Sequence, residues 1–256
     1  MTNQKWPEQI WLVRHGQSSG NVAREIAEAS RLHIIDIPER DIDVPLSELG
    51  ERQATALGHW FDKLAPEHRP TVVLTSPYLR ARHTAQLILA AIDDRQPPHT
   101  FISDERLREK EFGILDRLTQ FGIAKQHPEL YEQREHVGKF YFRPPGGESW
   151  CDVILRLRNV LDTITRDYPG ERVLIVCHQV IVQCFRYLFE HMDEKQILGI
   201  DKSRDVPNCS VTSYRFNPNL GKFGQLELRM ANFVAPLQES GTPITDAPDK
   251  SGIPKP

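Results

Sequence analysis

An arginine and a histidine stand side by side at positions 14 and 15, directly after the apolar run Ile10 to Val13 and before a glycine. Arginine stays cationic and offers a planar fork of donors that fits phosphate, whereas histidine near physiological pH can present a neutral, nucleophilic nitrogen. The pair points to phosphoryl transfer onto nitrogen. Further along, Arg80 and Arg82 follow the Ser76-Pro77 break, and His178 closes a second apolar run that ends at Cys177. A phosphoryl group in transit carries negative charge on its equatorial oxygens, and fixed cations stabilise that charge without reorganising.

These residues need elements that bring them together. Ile10 to Val13 is short, apolar and bounded by a glycine turn, so it reads as a buried strand delivering Arg14 and His15 to a loop. Ser18 or Ser19 can cap a helix from Asn21 to about Arg31; the segment to Val44 shows little period. Ser47 caps a helix in which Ala54, Leu57, Phe61 and Leu64 share one face, and Thr71 to Leu74 is a second strand, followed by a helix to about Ile92. Residues 93–98 form a polar turn and His99 to Ile102 a third strand. From Glu105 to Glu148 the pattern loosens into a long excursion, read as an active-site lid or a small helical insertion at about 110–145. Ser149 then caps a helix from Trp150 to Arg166 with an apolar stripe through Val153, Leu157, Val160, Leu161 and Ile164. Arg172 to Cys177 is a fourth strand, a helix runs from Val180 to His191, and strands near Val211 to Phe216 and Gln225 to Ala231 complete the sheet. Strands alternating with helices predict an α/β fold: three layers, α/β/α, with a mostly parallel sheet covered by helices on both faces. Right-handed crossovers then bring the ends of strands one, two and four to one edge, where open α/β folds place their binding crevice.

At 256 residues and 39% hydrophobic content, one domain over residues 1–235 is the expectation, with 236–256, rich in proline and small polar residues, read as a flexible tail. A net charge of −3 leaves no global basic field, which argues against nucleic acid as a partner. Cys151, Cys177, Cys184 and Cys209 lack metal-ligand spacing and disulfide-framework density, so they read as buried thiols of a reduced protein. No signal-type or membrane-spanning apolar run is visible, and the expected location is the cytoplasm.

RHGQSSGN at 14–21, LTSPYLRARHTA at 74–85, LREKEFG at 107–113, GGES at 146–149 and LIVCHQ at 174–179 resemble, in order, the signature blocks of the histidine phosphatase superfamily. That family includes cofactor-dependent phosphoglycerate mutases and fructose-2,6-bisphosphatases. The resemblance spans residue 10 to roughly 190 and implies a phosphoglycerate mutase-like fold. It makes His15 the nucleophile that becomes phosphohistidine. Arg14, Asn21, Arg80 and His178 would grip the phosphoryl oxygens, and Glu109 would donate and accept the proton; Arg82 and Glu111 are the rival arginine and carboxylate. Gln17, Ser18, Gln179 and Arg143 are further candidates for phosphate contact. Lys110, Arg134 and Lys139 either meet a second phosphate or face solvent.

Where many members carry glycine after the second histidine, this chain has Gln179, and the HQ pair is similar to the fructose-2,6-bisphosphatase branch. No GxxxxGK[ST] loop of a kinase domain is present, and residues 110–145 lack the arginine- and proline-rich segment associated with the mutases. A phosphatase is therefore expected, hydrolysing a small phosphorylated metabolite without metal or organic cofactor. A phosphomutase and a non-catalytic phosphate-binding scaffold stand as alternatives, and a homodimer is the assembly left open.

Overall fold

The computed structural model describes residues 4–92 and 98–246. The polar turn expected at 93–98 falls mostly on residues 93–97, outside the described residues. Six strands form one sheet in the order β3-β2-β4-β1-β5-β6: β1 (Gln9–Arg14), β2 (Val72–Thr75), β3 (Thr100–Ser103), β4 (Arg172–Cys177), β5 (Val211–Asn217) and β6 (Gln225–Phe233). The first four are mutually parallel; β5 runs antiparallel to β1, and β6 antiparallel to β5.

Successive side chains of a strand point to opposite faces, and the four-residue apolar stretches of β1 and β4 use both. Ile10, Leu12, Val173 and Ile175 pack under α6 (Trp150–Asp167) and α7 (Gln179–Phe189), among Val153, Leu157, Ile181 and Phe185. Trp11, Val13, Leu174 and Val176 face α2 (Glu48–Asp62) and α3 (Leu79–Ala90), among Leu57, Phe61, Ala85 and Ile88. Both faces are covered, as the three-layer expectation requires. α1 (Ser19–Ala29) starts at a Ser18 capping box that uses Asn21, and Ser47 and Ser149 cap α2 and α6 as their positions imply.

The excursion is helical. α4 (Gln120–Gln126) and α5 (Pro128–Val137) enclose a small separate core of Leu115, Leu118, Ile123, Leu130 and Phe142. It clasps the segment after α1: Ile35 N donates to Arg117 O at 2.8 Å, and Thr119 N to His33 O at 3.1 Å. Gly122 makes the approach close, since a Cβ there would lie 2.0 Å from His33 O.

Two elements depart from the sequence reading. A helix unread in the sequence, α8 (Glu194–Ser203), follows α7, started by an Asp193 capping box and holding Ile197 in the core. The flexible tail does not begin at 236: α9 (Ala235–Glu239) buries Leu237 against α2, and Asn208 N donates to Thr245 O at 2.8 Å. One buried leucine and backbone hydrogen bonds hold a segment whose composition looked unanchored. Residues 247–256 lie outside the described residues. Among the described residues no helix is long and apolar enough to cross a membrane.

Candidate active site

The carboxyl ends of β2, β4 and β1 lie side by side, and the backbone hydrogen bonds continue one residue past β1 and β2. His15 N donates to Cys177 O at 2.9 Å and Ser76 N to Val176 O at 3.0 Å, so His15 and Ser76 leave the sheet on either side of β4, which His178 follows directly. His15 is fully buried; its Nδ1 lies 2.7 Å from Gly16 O, and because a carbonyl only accepts, Nδ1 carries the proton. In the neutral ring the lone pair then sits on Nε2. The His178 ring centroid is 5.1 Å from that of His15.

The His15 loop is braced from three elements. Gly16 N donates to Thr84 Oγ1 of α3 at 3.0 Å, Asn208 Nδ2 donates to His15 O at 2.9 Å, and Gln53 Oε1 of α2 accepts from Gln17 N at 2.9 Å. Gln53 and Asn208 are themselves held by Thr245, whose Oγ1 accepts from Gln53 Nε2 at 3.0 Å and donates to Asn208 Oδ1 at 2.9 Å. The C-terminal segment thus supports the loop from two sides. Gly50 permits the loop's seat on α2, because a Cβ there would lie 2.0 Å from Gln17 O.

Around His15 stand the candidate phosphate grips. Arg14 is buried and donates through Nη1 to Val206 O at 2.7 Å. Arg80 is buried and lines the cleft, whereas Arg82 is exposed and does not. Arg80 donates through Nη1 to Asp41 O at 2.6 Å and Asp41 Oδ1 at 2.9 Å, and its guanidinium carbon lies 4.9 Å from the Tyr78 ring centre. On the same ring, at 5.1 Å between centroids, rests His178, so Tyr78 spaces the arginine from the second histidine. His178 Nε2 lies 2.8 Å from Ser76 Oγ, and its Nδ1 is 3.9 Å from Glu109 Oε2. Burial, then the charges of Arg80, His15 and Arg14, hold the His178 pKa well below the usual imidazole value, so the ring stays neutral.

Glu109 is buried, with Lys110 N donating to its Oε1 at 2.7 Å. Glu111, the rival carboxylate, is turned away to the Tyr78 hydroxyl, 3.2 Å from Oε1. The GGES block explains how Glu109 is held: Glu148 accepts from Arg156 Nε of α6 at 2.9 Å, and Arg156 Nη2 donates to Glu109 O at 3.3 Å.

Five other candidates are placed differently. Ser18 and Asn21 line the cleft, but their side chains are joined in the α1 capping box. Gln17 does not line it: its Oε1 accepts from Ser47 Oγ at 2.7 Å, fastening the loop to the α2 cap. Gln179 turns to Asp205, with Nε2 2.8 Å from Oδ1. Arg143 is exposed and paired with Asp152 at the start of α6, away from the cleft, because that carboxylate is the nearer anion. Sequence reading missed Asp41, Arg24, Asp116 and Arg117, which line the cleft from the two loosely patterned segments. It also missed Tyr78 and Ser76, although both stand inside the quoted LTSPYLRARHTA block.

A buried histidine with one nitrogen pinned, at a strand end with a second histidine beside it and two arginines and a carboxyl nearby, has the groups that phosphoryl transfer to imidazole needs. The chain belongs to the histidine phosphatase superfamily, branch 1, whose family model matches residues 10–227. It is 30% identical over 190 residues to a fructose-2,6-bisphosphatase of Saccharomyces cerevisiae, covering 74% of this chain and 36% of that protein. The chain thus spans about a third of that relative's length. It is 28% identical to 2,3-bisphosphoglycerate-dependent phosphoglycerate mutase 2 of Gloeobacter violaceus, over 89% of this chain and 94% of that one. Its fold is that of a mycobacterial glucosyl-3-phosphoglycerate phosphatase, with a TM-score of 0.67 at 22% identity, covering 89% of this chain and 100% of the other.

Proposed function

We propose that the protein is a phosphomonoester hydrolase working through a phosphohistidine at His15, on a small phosphorylated metabolite and without a metal. The observation that carries this reading is the Nδ1 to Gly16 O hydrogen bond of 2.7 Å, which leaves Nε2 as the attacking atom inside a cationic pocket. His15 Nε2 attacks phosphorus while the bond to the substrate oxygen breaks, and the protonated Glu109 carboxyl gives its proton to the departing alkoxide. Water then transfers a proton to the Glu109 carboxylate and its oxygen attacks phosphorus; the P–N bond breaks, releasing orthophosphate and returning the electron pair to Nε2. Arg14 and Arg80 stabilise the equatorial oxygens throughout, with neutral His178 beside them.

For Arg80 to take the phosphoryl group it must exchange or share the Asp41 carboxylate, which occupies its Nη1 in the free protein. The proposed setting is the cytoplasm, in keeping with four free cysteines, and a homodimer is an assembly that sedimentation can test. A phosphomutase is the second reading, supported by the near full-length likeness to the Gloeobacter violaceus mutase.

The test is phosphate release from p-nitrophenyl phosphate and a panel of sugar phosphates, glycerol 3-phosphate and 3-phosphoglycerate, with and without EDTA. EDTA-resistant turnover lost in His15→Ala supports the proposal. Isomerisation of 3-phosphoglycerate without phosphate release sinks it in favour of the mutase, and EDTA-sensitive turnover surviving in His15→Ala overturns the mechanism.

A further inference from the structure

The cleft that Arg80 and Glu109 share with the proposed phosphoryl site is roofed by the segment after α1 and by the start of the excursion. Beyond Arg80 and Glu109, its wall combines the apolar side chains of Ile35, Ile37, Val44 and Phe112 with the carboxylates Glu39, Asp41 and Asp116. Two arginines, Arg24 and Arg117, also line it. Arg117 is committed to the roof itself: its Nη1 donates to Ile37 O at 2.8 Å and its Nη2 to Glu39 O. Acids therefore outnumber arginines on this wall.

We propose, building on the phosphatase reading, that this wall selects phosphomonoesters whose leaving group bears hydroxyls and no second negative charge. Carboxylates accept hydrogen bonds from hydroxyls, and the apolar side chains pack against carbon skeleton. A carboxylate or second phosphate on the substrate would instead meet like charge in a partly water-excluded cleft, where repulsion is least screened.

Two further observations agree. Loss of water around the Asp116 carboxyl, and after it the charge of Asp41, push the Asp116 pKa up, against the lowering effects of Arg117 and Arg24. Of the cations that the sequence offered for a second phosphate, Lys139, Arg143 and Lys110 do not line the cleft: Lys139 is paired with Asp201, Arg143 with Asp152, and Lys110 lies over the Phe112 ring at 4.6 Å.

Glycerol 3-phosphate and 3-phosphoglycerate form a matched pair that share a three-carbon skeleton and differ by a hydroxymethyl group against a carboxylate. The expected kcat/KM ratio favours glycerol 3-phosphate by about tenfold or more, and Asp116→Asn reduces that ratio several-fold, with Glu39→Gln moving it the same way. Binding of the same two compounds to His15→Ala, followed calorimetrically, is expected to show the same order. This arm reads selectivity without turnover, so failure of the hydrolase reading is told apart from failure of the wall. Equal binding, or tighter binding of 3-phosphoglycerate, overturns the inference, as does a wild-type ratio that neither variant changes.

Discussion

The strand-end cluster and the roof beside it are built in contrasting ways. His15, Ser76 and His178 sit one step beyond adjacent parallel strands, and their positions follow from the sheet's own hydrogen-bond register. The roof is two irregular segments clasped to each other, with Arg117 donating into the carbonyls of Ile37 and Glu39. A strand end is placed by many cooperative bonds and tolerates little drift, whereas a clasp of loops can be remodelled without disturbing the sheet. Such a division lets one chemistry serve many leaving groups.

The largest effect expected is on the strand-end side. His15→Ala removes the proposed nucleophile, and turnover of every substrate is expected to fall by on the order of 10⁴-fold or more. The change leaves the Gly16–Thr84 brace in place. Stopped assays with p-nitrophenyl phosphate beside thermal melts check this, and substantial residual turnover in folded protein would place the chemistry elsewhere.

A pair of glycine substitutions separates the two regions directly. Gly50→Ala sets a Cβ 2.0 Å from Gln17 O and must push the nucleophile loop off α2, so kcat falls for all substrates alike. Gly122→Ala makes the same 2.0 Å clash with His33 O, but there it prises the excursion from the segment after α1. Its expected signature is a change of several-fold in KM and in the glycerol 3-phosphate to 3-phosphoglycerate ratio, with p-nitrophenyl phosphate kcat much less affected. If both variants gave one kinetic profile, loop and roof would be a single mechanical unit.

The regions also carry opposite pH signs. The folded protein holds His178 neutral where the unfolded chain takes up a proton, so stability is lost as pH falls below about 6.5, by up to about 1.4 kcal/mol per pH unit from this one group. Asp116 has its pKa raised, so its contribution is present at low pH and lost as pH rises through its folded value. Chemical denaturation across pH 4.5–8 is expected to show a shallower acid loss in His178→Gln and a steeper one in Asp116→Asn. Unchanged slopes would mean that neither group differs between folded and unfolded chains.

How much of this was legible follows the same division. Strands, caps and the convergence of Arg14, His15, Arg80 and His178 could be read because each lies in a short segment with its own periodicity or motif. Glu109 could be read only through its block, and what separates it from Glu111 lies far off in sequence: Arg156 donates to Glu109 O, and the Tyr78 hydroxyl holds the Glu111 carboxylate. The roof was illegible: Asp41, Asp116 and Arg117 stand in segments without period, and their partners lie up to 80 residues away in sequence. Composition misled for the C-terminal segment, where Leu237 and Thr245 anchor a stretch otherwise rich in proline and small polar residues.

The smallest expected effect concerns Arg143, a phosphate contact in the sequence reading and a surface partner of Asp152 in the fold. Its Nε lies 2.7 Å from Asp152 Oδ2, but that oxygen is already held by Ser149 N at 2.7 Å and Ser149 Oγ at 2.6 Å in the α6 capping box. Removing the guanidinium leaves the cap intact, and an exposed ion pair contributes roughly 0–1 kcal/mol. Arg143→Ala is therefore expected to change kcat/KM by less than twofold. Asp152→Ala, by contrast, removes the carboxylate half of the capping box, at a cost of about 1 kcal/mol, and loosens the helix whose Arg156 holds Glu109. A tenfold loss of activity in Arg143→Ala alone would mean that this stretch of the excursion swings over the cleft during turnover, and the strand-end cluster would then no longer be complete without the loops.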